Sequence, residues 1–122
     1  MSVVLDASSI LAFVQDESGA DLVEAALAAN ASCGAANWSE VAQKILKSNR
    51  DWEIVQALLM SYDLQIEPVL AGDAEWAARR WKRGEDLSLA DRLCMALGER
   101  LDTEILTADS SWGTNDRVSQ IR

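Results

Sequence analysis

The sequence contains no histidine. This absence excludes the serine and cysteine hydrolases that depend on a histidine base, and it excludes zinc sites of the H-E-x-x-H type. The chain also lacks the G-x-x-x-x-G-K-[ST] and G-x-G-x-x-G motifs that bind nucleotide phosphates. Any metal must therefore be held by oxygen ligands, which favours Mg²⁺ or Mn²⁺ over Zn²⁺.

Cysteines and long apolar runs are also scarce. Cys33 and Cys94 lie far apart without metal-ligand spacing, so we expect two reduced, buried thiols in a cytoplasmic protein rather than a disulfide. No apolar run approaches the roughly 20 residues of a membrane-spanning helix, so we expect no membrane partner. The first residues carry no basic side chain before Asp6, which is unlike a signal peptide.

Basic residues are outnumbered, because 11 Lys and Arg face 20 Asp and Glu, for a net charge of −9. This balance argues against tight non-specific DNA binding through a broad basic face. It does not exclude a nuclease, because carboxylates at a metal site add to the negative charge while the substrate meets the bound cations.

The length of 122 residues fits one domain over 1–122. Hydrophobic periodicity predicts short strands over 3–5, 33–36, 64–69, 104–107 and 118–121. Between them it predicts a helical turn at 10–14 and helices over 21–29, 37–48, 51–62, 72–83 and 88–101. Short strands that alternate with helices predict an α/β sandwich with a mostly parallel central sheet flanked by helices.

Four acids lie where strands end or helices begin: Asp6, Glu40, Asp91 and Asp109. Each one alone is explained as an ordinary strand-end or helix-capping acid, and Asn37 and Ser88 are the expected capping residues three positions before Glu40 and Asp91. In a parallel sheet, however, the strand carboxyl ends and the following helix N-termini share one edge, where ligands bind. The four acids are therefore also expected to converge.

Clustered carboxylates repel each other, and divalent cations remove that penalty. Such cations polarise a phosphodiester, lower the pKa of a bound water and stabilise the leaving oxygen. The pattern of acids thus points to metal-dependent phosphodiester hydrolysis.

Four motifs resemble those of PIN-domain proteins, most closely the VapC-type toxins of bacterial toxin–antitoxin pairs. The matching segments, in order along the chain, are VVLDAS at 3–8, NWSEV at 37–41, LSLADRLCMAL at 87–97 and LTADSSW at 106–112. Their order and spacing agree nearly end to end. The resemblance implies a three-layer sandwich with the acids at one edge of the sheet, and it implies an endoribonuclease.

The resemblance also implies roles for individual residues. Asp6 and Asp91 would be the principal Mg²⁺ ligands, with Mn²⁺ as the other candidate ion. Glu40 and Asp109 would complete the acidic pocket, directly or through water. Ser8 and Thr107 would be polar residues that hold the acids in position. Whether Asn115 or Asp116 also reaches the metal stays open.

Basic residues are dense only over 79–83, with Arg79, Arg80 and Arg83 as candidate RNA contacts and a solvated helix face as the alternative. Arg92, next to Asp91, pairs either with a site carboxylate or with a substrate phosphate. The tryptophans on helices are expected in the core or an interface, and Trp112 is the best candidate for base stacking.

The resemblance and the expected apolar surface both lead us to expect protein partners. VapC-like proteins form homodimers and are silenced by a cognate antitoxin. Trp52, Leu58, Leu59 and Tyr62 offer more apolar surface than a small sheet needs, which favours a dimer or antitoxin groove. The alternative to a toxin nuclease acting on RNA is a PIN-like protein-interaction module with little or no nuclease activity.

Overall fold

The computed structural model describes residues 2–114 and 116–122. Its strands are β1 (Val3–Leu5), β2 (Ala31–Gly34), β3 (Gln65–Glu67), β4 (Ile105–Thr107) and β5 (Val118–Gln120). They form a sheet in the order β3-β2-β1-β4-β5, and every neighbouring pair is parallel. The central strand β1 pairs Val4 with Ser32 on one side and with Ile105 on the other.

Helices connect the strands. They are α1 (Ala7–Val14), α2 (Ala20–Ala29), α3 (Ala35–Lys47), α4 (Trp52–Met60), α5 (Ala71–Arg80) and α6 (Leu89–Leu101), with a short 3₁₀ helix at Ser110–Trp112. Within the described ranges no helix is both long and apolar enough to cross a lipid bilayer.

The two faces of the sheet are covered by different helices. Consecutive residues of β1 point to opposite faces, so Leu5 joins a core with side chains from α1 to α4, and Val4 joins one with side chains from α6. Trp76 of α5 packs against the second core. The predicted three-layer α/β sandwich is confirmed.

Three local predictions were wrong. The second strand is Ala31–Gly34 rather than 33–36, because Ala35 and Ala36 are strong helix formers and Gly34 caps the helix that they begin. Asn37 is therefore the third residue of α3 and not its cap. Helix α5 ends at Arg80, so Trp81 leaves the helix in an extended conformation and is 54% exposed.

Candidate active site

The sheet order places two acid-bearing segments side by side. From β1 the chain runs to β2 and β3 on one side, and it later returns to β4 and β5 on the other side. This reversal makes the carboxyl edge between β1 and β4 a topological switch point, which is where ligands bind in open parallel sheets. Asp6 directly follows β1, and Asp109 lies two residues after β4.

Asp6 is buried, at 3% exposure, and its carboxylate accepts hydrogen bonds from three groups. The Ser9 backbone N–H donates to Oδ1 at 2.8 Å, which makes Asp6 the N-cap of α1. The Thr107 hydroxyl donates to Oδ2 at 2.6 Å, and the Ser8 hydroxyl lies 2.8 Å from both oxygens. The two predicted supporting residues thus contact Asp6 directly.

Backbone groups fix the direction of both hydroxyls. The Ala108 N–H donates to Ser8 Oγ at 2.9 Å, and the Asp109 N–H donates to Thr107 Oγ1 at 3.0 Å. Each hydroxyl oxygen accepts from the backbone, so its own hydrogen is free to face Asp6. A carboxylate offers about four lone-pair positions, and three hydrogens leave one for a further ligand.

Glu40 lies on α3 and is held by Asn37, which is 1% exposed. The Asn37 Nδ2 group donates to Glu40 Oε1 at 3.0 Å and to the Ala90 carbonyl oxygen at 3.3 Å. This amide therefore joins the two acid-bearing helices, because Ala90 precedes Asp91 on α6. Its Oδ1 has no hydrogen-bond partner among the described residues.

Asp91 stands in the first turn of α6 in the predicted capping box. Its backbone N–H donates to Ser88 Oγ at 3.1 Å, and its Oδ2 accepts from the Ser88 N–H at 3.0 Å. One carboxylate oxygen is used by the cap, so the other oxygen is the one available at the site.

Asp109 begins the 3₁₀ helix. Its Oδ1 accepts from the backbone N–H of Ser111 at 2.9 Å and from the Ser111 hydroxyl at 2.7 Å. Asp116 is exposed, and its charge acts on Arg80 rather than on these acids. Asn115 lies outside the described residues.

The carboxylates share one electrostatic environment. Burial raises the pKa of Asp6 despite its hydrogen bonds. Burial also raises the pKa of Glu40, and the negative charges of Asp91 and Asp6 add to that effect. The pKa of Asp91 is raised by burial and by the charges of Asp109 and Asp86. Glu40 and Asp91 therefore lie near enough to other acids of the site for those charges to oppose their ionisation.

The donor set matches a hard divalent cation, because it consists of carboxylate and hydroxyl oxygens whose mutual repulsion a cation would relieve. Across residues 2–114 and 116–122, no three acidic or cysteine side chains stand close enough together to enclose an ion. One carboxylate oxygen of Glu40, of Asp91 and of Asp109 takes part in the hydrogen bonds described above, which leaves the other oxygen of each for a ligand.

The predicted nucleic-acid contacts fall into two groups. Arg79 and Arg83 are exposed, whereas Arg80 forms a two-pronged ion pair with Glu85 at 2.6 and 3.0 Å. Arg92 does not pair with a site carboxylate, since its guanidinium donates to the Ala77 carbonyl oxygen at 2.7 Å.

The expectation that Trp112 stacks on bases was wrong. Its side chain is 6% exposed, and it belongs to the second core because the 3₁₀ helix turns it inward. The two cysteines are free and buried, as expected.

Sequence reasoning missed three residues of the site: Asn37 as a tether for Glu40, and Ser9 and Ser111 as donors to Asp6 and Asp109. The signal for Ser9 and Ser111 was present, because an Asp that caps a helix accepts from the backbone N–H two or three residues further on. Nothing in the sequence distinguished the role of Asn37 from that of a cap.

Comparisons with known proteins define the class. The PIN domain family matches residues 3–117, so the chain belongs to the PIN domain family. A search of curated proteins finds no match.

Solved structures with a similar fold include a toxin–antitoxin complex from Klebsiella pneumoniae, with a TM-score of 0.75 and 17% identity over 98% of both chains. VapBC2 from Rickettsia felis, bound to a DNA fragment from its promoter, gives a TM-score of 0.73 and 15% identity over 98% of both chains. DNA-bound VapBC from Salmonella typhimurium gives 0.74 and 11% identity, covering 100% of this chain and 99% of that one. At these identities the likeness is one of fold.

Proposed function

We propose that this protein is a Mg²⁺-dependent endoribonuclease and the toxin of a toxin–antitoxin pair in the cytoplasm. It hydrolyses RNA phosphodiester bonds at Asp6, Glu40, Asp91 and Asp109. The observation that carries the proposal is the buried Asp6, which three donors hold at the switch point of the sheet. Asp109 belongs to the same hydrogen-bond network through Thr107, and Asn37 ties Glu40 to the residue before Asp91. A fold gains nothing in stability from gathering repelling charges, so the arrangement indicates a function.

Asp6 and Asp91 would hold the cation, and Glu40 and Asp109 would complete its surroundings. When bound, the cation supplies charge that polarises the phosphodiester and stabilises the leaving oxygen. Ser8, Ser9 and Thr107 keep Asp6 in one orientation. Asn37 keeps Glu40 beside α6, where its carboxylate would accept the proton of the attacking water.

The test is cleavage of a panel of single-stranded and structured RNAs in Mg²⁺, Mn²⁺ or EDTA. We expect cleavage that depends on the cation and stops in EDTA. The absence of any cation-stimulated cleavage across the panel would contradict the proposal. It would favour a PIN-like interaction module with little or no nuclease activity instead.

A first prediction concerns Glu40→Gln and Asn37→Ala. Both changes weaken the contribution of Glu40 to cation binding, so each variant should need more Mg²⁺ for half-maximal cleavage, by about 10-fold or more. Saturating Mg²⁺ should restore part of the rate. Glu75→Gln, an exposed acid on α5, is the control. Magnesium titrations measure the effect, and unchanged half-saturation points in both variants would contradict it.

A second prediction concerns the basic segment. Reversing the charge of Arg79 and Arg83 should weaken RNA binding and flatten its salt dependence by roughly one unit of log–log slope per lost phosphate contact. Arg50→Glu, an exposed arginine between α3 and α4, should leave the slope unchanged. Equal slopes for all proteins would mean that residues 79–83 are simply a solvated surface.

The antitoxin proposal is supported by the three solved structures, which are toxin–antitoxin complexes. On this chain, Ile54 and Leu58 of α4 are 67% and 43% exposed and form an apolar surface for an amphipathic helix. Leu59, which we expected on that surface, is fully buried instead. We expect a homodimer by light scattering at micromolar concentration, and a monomer would contradict that part.

A third prediction follows for the antitoxin. A basic side chain of the partner that reaches Asp6 and Asp91 would compete with the cation. Mn²⁺ should therefore bind more weakly to the complex than to the free protein, as isothermal titration would measure. A genomic neighbour that binds tightly but leaves both Mn²⁺ binding and RNA cleavage unchanged would contradict this mechanism.

A further inference from the structure

Trp81 is an exposed aromatic side chain in a place where the sequence predicted a buried one. It follows α5 in an extended conformation, and 54% of its surface is accessible. Among the large hydrophobic side chains that the described ranges leave exposed, Trp81 is the one aromatic residue. A tryptophan that stays half in water offers a broad, rigid ring to a ligand.

One cation lies beside this ring, and two more are close to Trp81 in the sequence. The Arg83 guanidinium lies 5.9 Å from the centre of the Trp81 ring. Arg79 and Lys82 are exposed, and none of these three cations makes a salt bridge within the described part of the chain. Their acidic neighbours are Glu85, which Arg80 already holds, and Asp86. Residues 79–83 thus form a cationic patch on a chain of net charge −9.

The cationic patch lies next to the acidic edge of the sheet. Arg92 donates a hydrogen bond to the Ala77 carbonyl oxygen at 2.7 Å, which ties the last turn of α5 to the first turn of α6. Asp91 is in that turn. The segment from Trp81 to Leu87 links the two helices, and the charge of its Asp86 reaches Asp91.

We propose that Trp81 is a stacking platform for a base of single-stranded RNA, while Arg79, Lys82 and Arg83 hold the adjoining phosphates. An aromatic ring accepts any base through its π-face, and cations beside it bind the backbone on both sides of that base. The inference rests on the proposed function, and it assigns to Trp81 the substrate contact that the sequence had given to Trp112.

The test measures RNA binding in EDTA, where cleavage does not occur. The probes are a fluorescein-labelled ten-residue oligouridylate and an abasic ribose-phosphate chain of the same length, each followed by fluorescence anisotropy. Trp81→Ala should weaken binding of oligouridylate by about tenfold and leave binding of the abasic chain unchanged. Trp81→Phe should retain part of the affinity. Leu22→Ala, which removes an equally exposed apolar side chain on α2, is the matched control.

Each outcome decides a different point. If the wild type and Trp81→Ala bind oligouridylate equally well, Trp81 is not a stacking platform. If Trp81→Ala loses the same affinity for both probes, the platform is also overturned, because Trp81 would then only support the neighbouring cations. If Trp81→Ala instead disrupts self-association of the chain in light scattering, the ring is a protein contact and the proposal fails. Base-dependent binding through Trp81 without cleavage in Mg²⁺ would uphold the platform and overturn the nuclease.

Discussion

Asp6→Asn and Asp91→Asn should each lower the rate of RNA cleavage by more than about 100-fold, because changes beside a metal ligand already cost 10–100-fold. Both residues would lend charge to the cation, which an amide does not replace. Both variants should fold. An amide oxygen at position 6 still accepts from the Ser9 N–H, and one at position 91 still accepts from the Ser88 N–H.

The stability of these variants gives a second readout. Asp91→Asn should be at least as stable as the wild type in EDTA at neutral pH, because it removes a carboxyl whose pKa is raised by burial and by the charges of Asp109 and Asp86. Asp51→Asn is the matched control, since Asp51 also caps a helix and lies at the start of α4, away from the acidic edge. Full cleavage by either site variant, or an equal loss in Asp51→Asn, would contradict the assignment.

Thr107→Val should destabilise the protein by about 1.5–3 kcal/mol at neutral pH, because it removes a hydrogen bond to a buried charged carboxylate. The Thr107 hydroxyl lowers the pKa of Asp6, so its loss raises that pKa further. When the pKa of a carboxyl is raised in the folded state, the folded protein loses stability as the pH rises through that pKa. The destabilisation should therefore be larger at pH 7.5 than near pH 4, where Asp6 takes up a proton more readily.

Urea unfolding at the two pH values in EDTA measures this difference. Thr103→Val is the control, because Thr103 is also buried and donates to the Ser2 carbonyl oxygen, with no contact to the acids. Its cost should be the same at both pH values. A pH-independent cost for Thr107→Val would mean that the hydroxyl does not act through the Asp6 carboxylate.

The fold was predictable because its signals are local. Several elements are specified by their own residues: two strands by the apolar runs at 3–5 and 105–107, and α6 by the capping box of Ser88 and Asp91. The helices are also poor in glycine. The rules for parallel connections then restrict how such elements assemble. The errors came where two local preferences competed. Ala35 and Ala36 fit a strand of small residues or a helix start, and their helix propensity decided the outcome.

The sequence predicted where the candidate acids lie in the fold, at strand ends and helix starts, but it did not predict the contacts that hold them. Asp6 and Asp109 follow from strand ends, but the contact between Asn37 and Ala90 joins residues far apart in sequence. Likewise, the burial of two tryptophans was not predictable: Trp81 stands among basic residues, and Trp112 follows two serines. Their opposite burial depends on where α5 ends and on how the 3₁₀ helix turns, which periodicity does not specify.

The hydrogen bond from Thr107 to Asp6 spans 101 residues, and this has a consequence for the order of synthesis. A growing chain contains Asp6 long before the residues of β4 are made. Until β4 pairs with β1, the Asp6 carboxylate has only its local donors, Ser8 and Ser9, and Asp109 is absent from the edge. Under the proposed function, an incomplete chain on the ribosome would not cut RNA, and the activity would arise only once β4 has paired with β1.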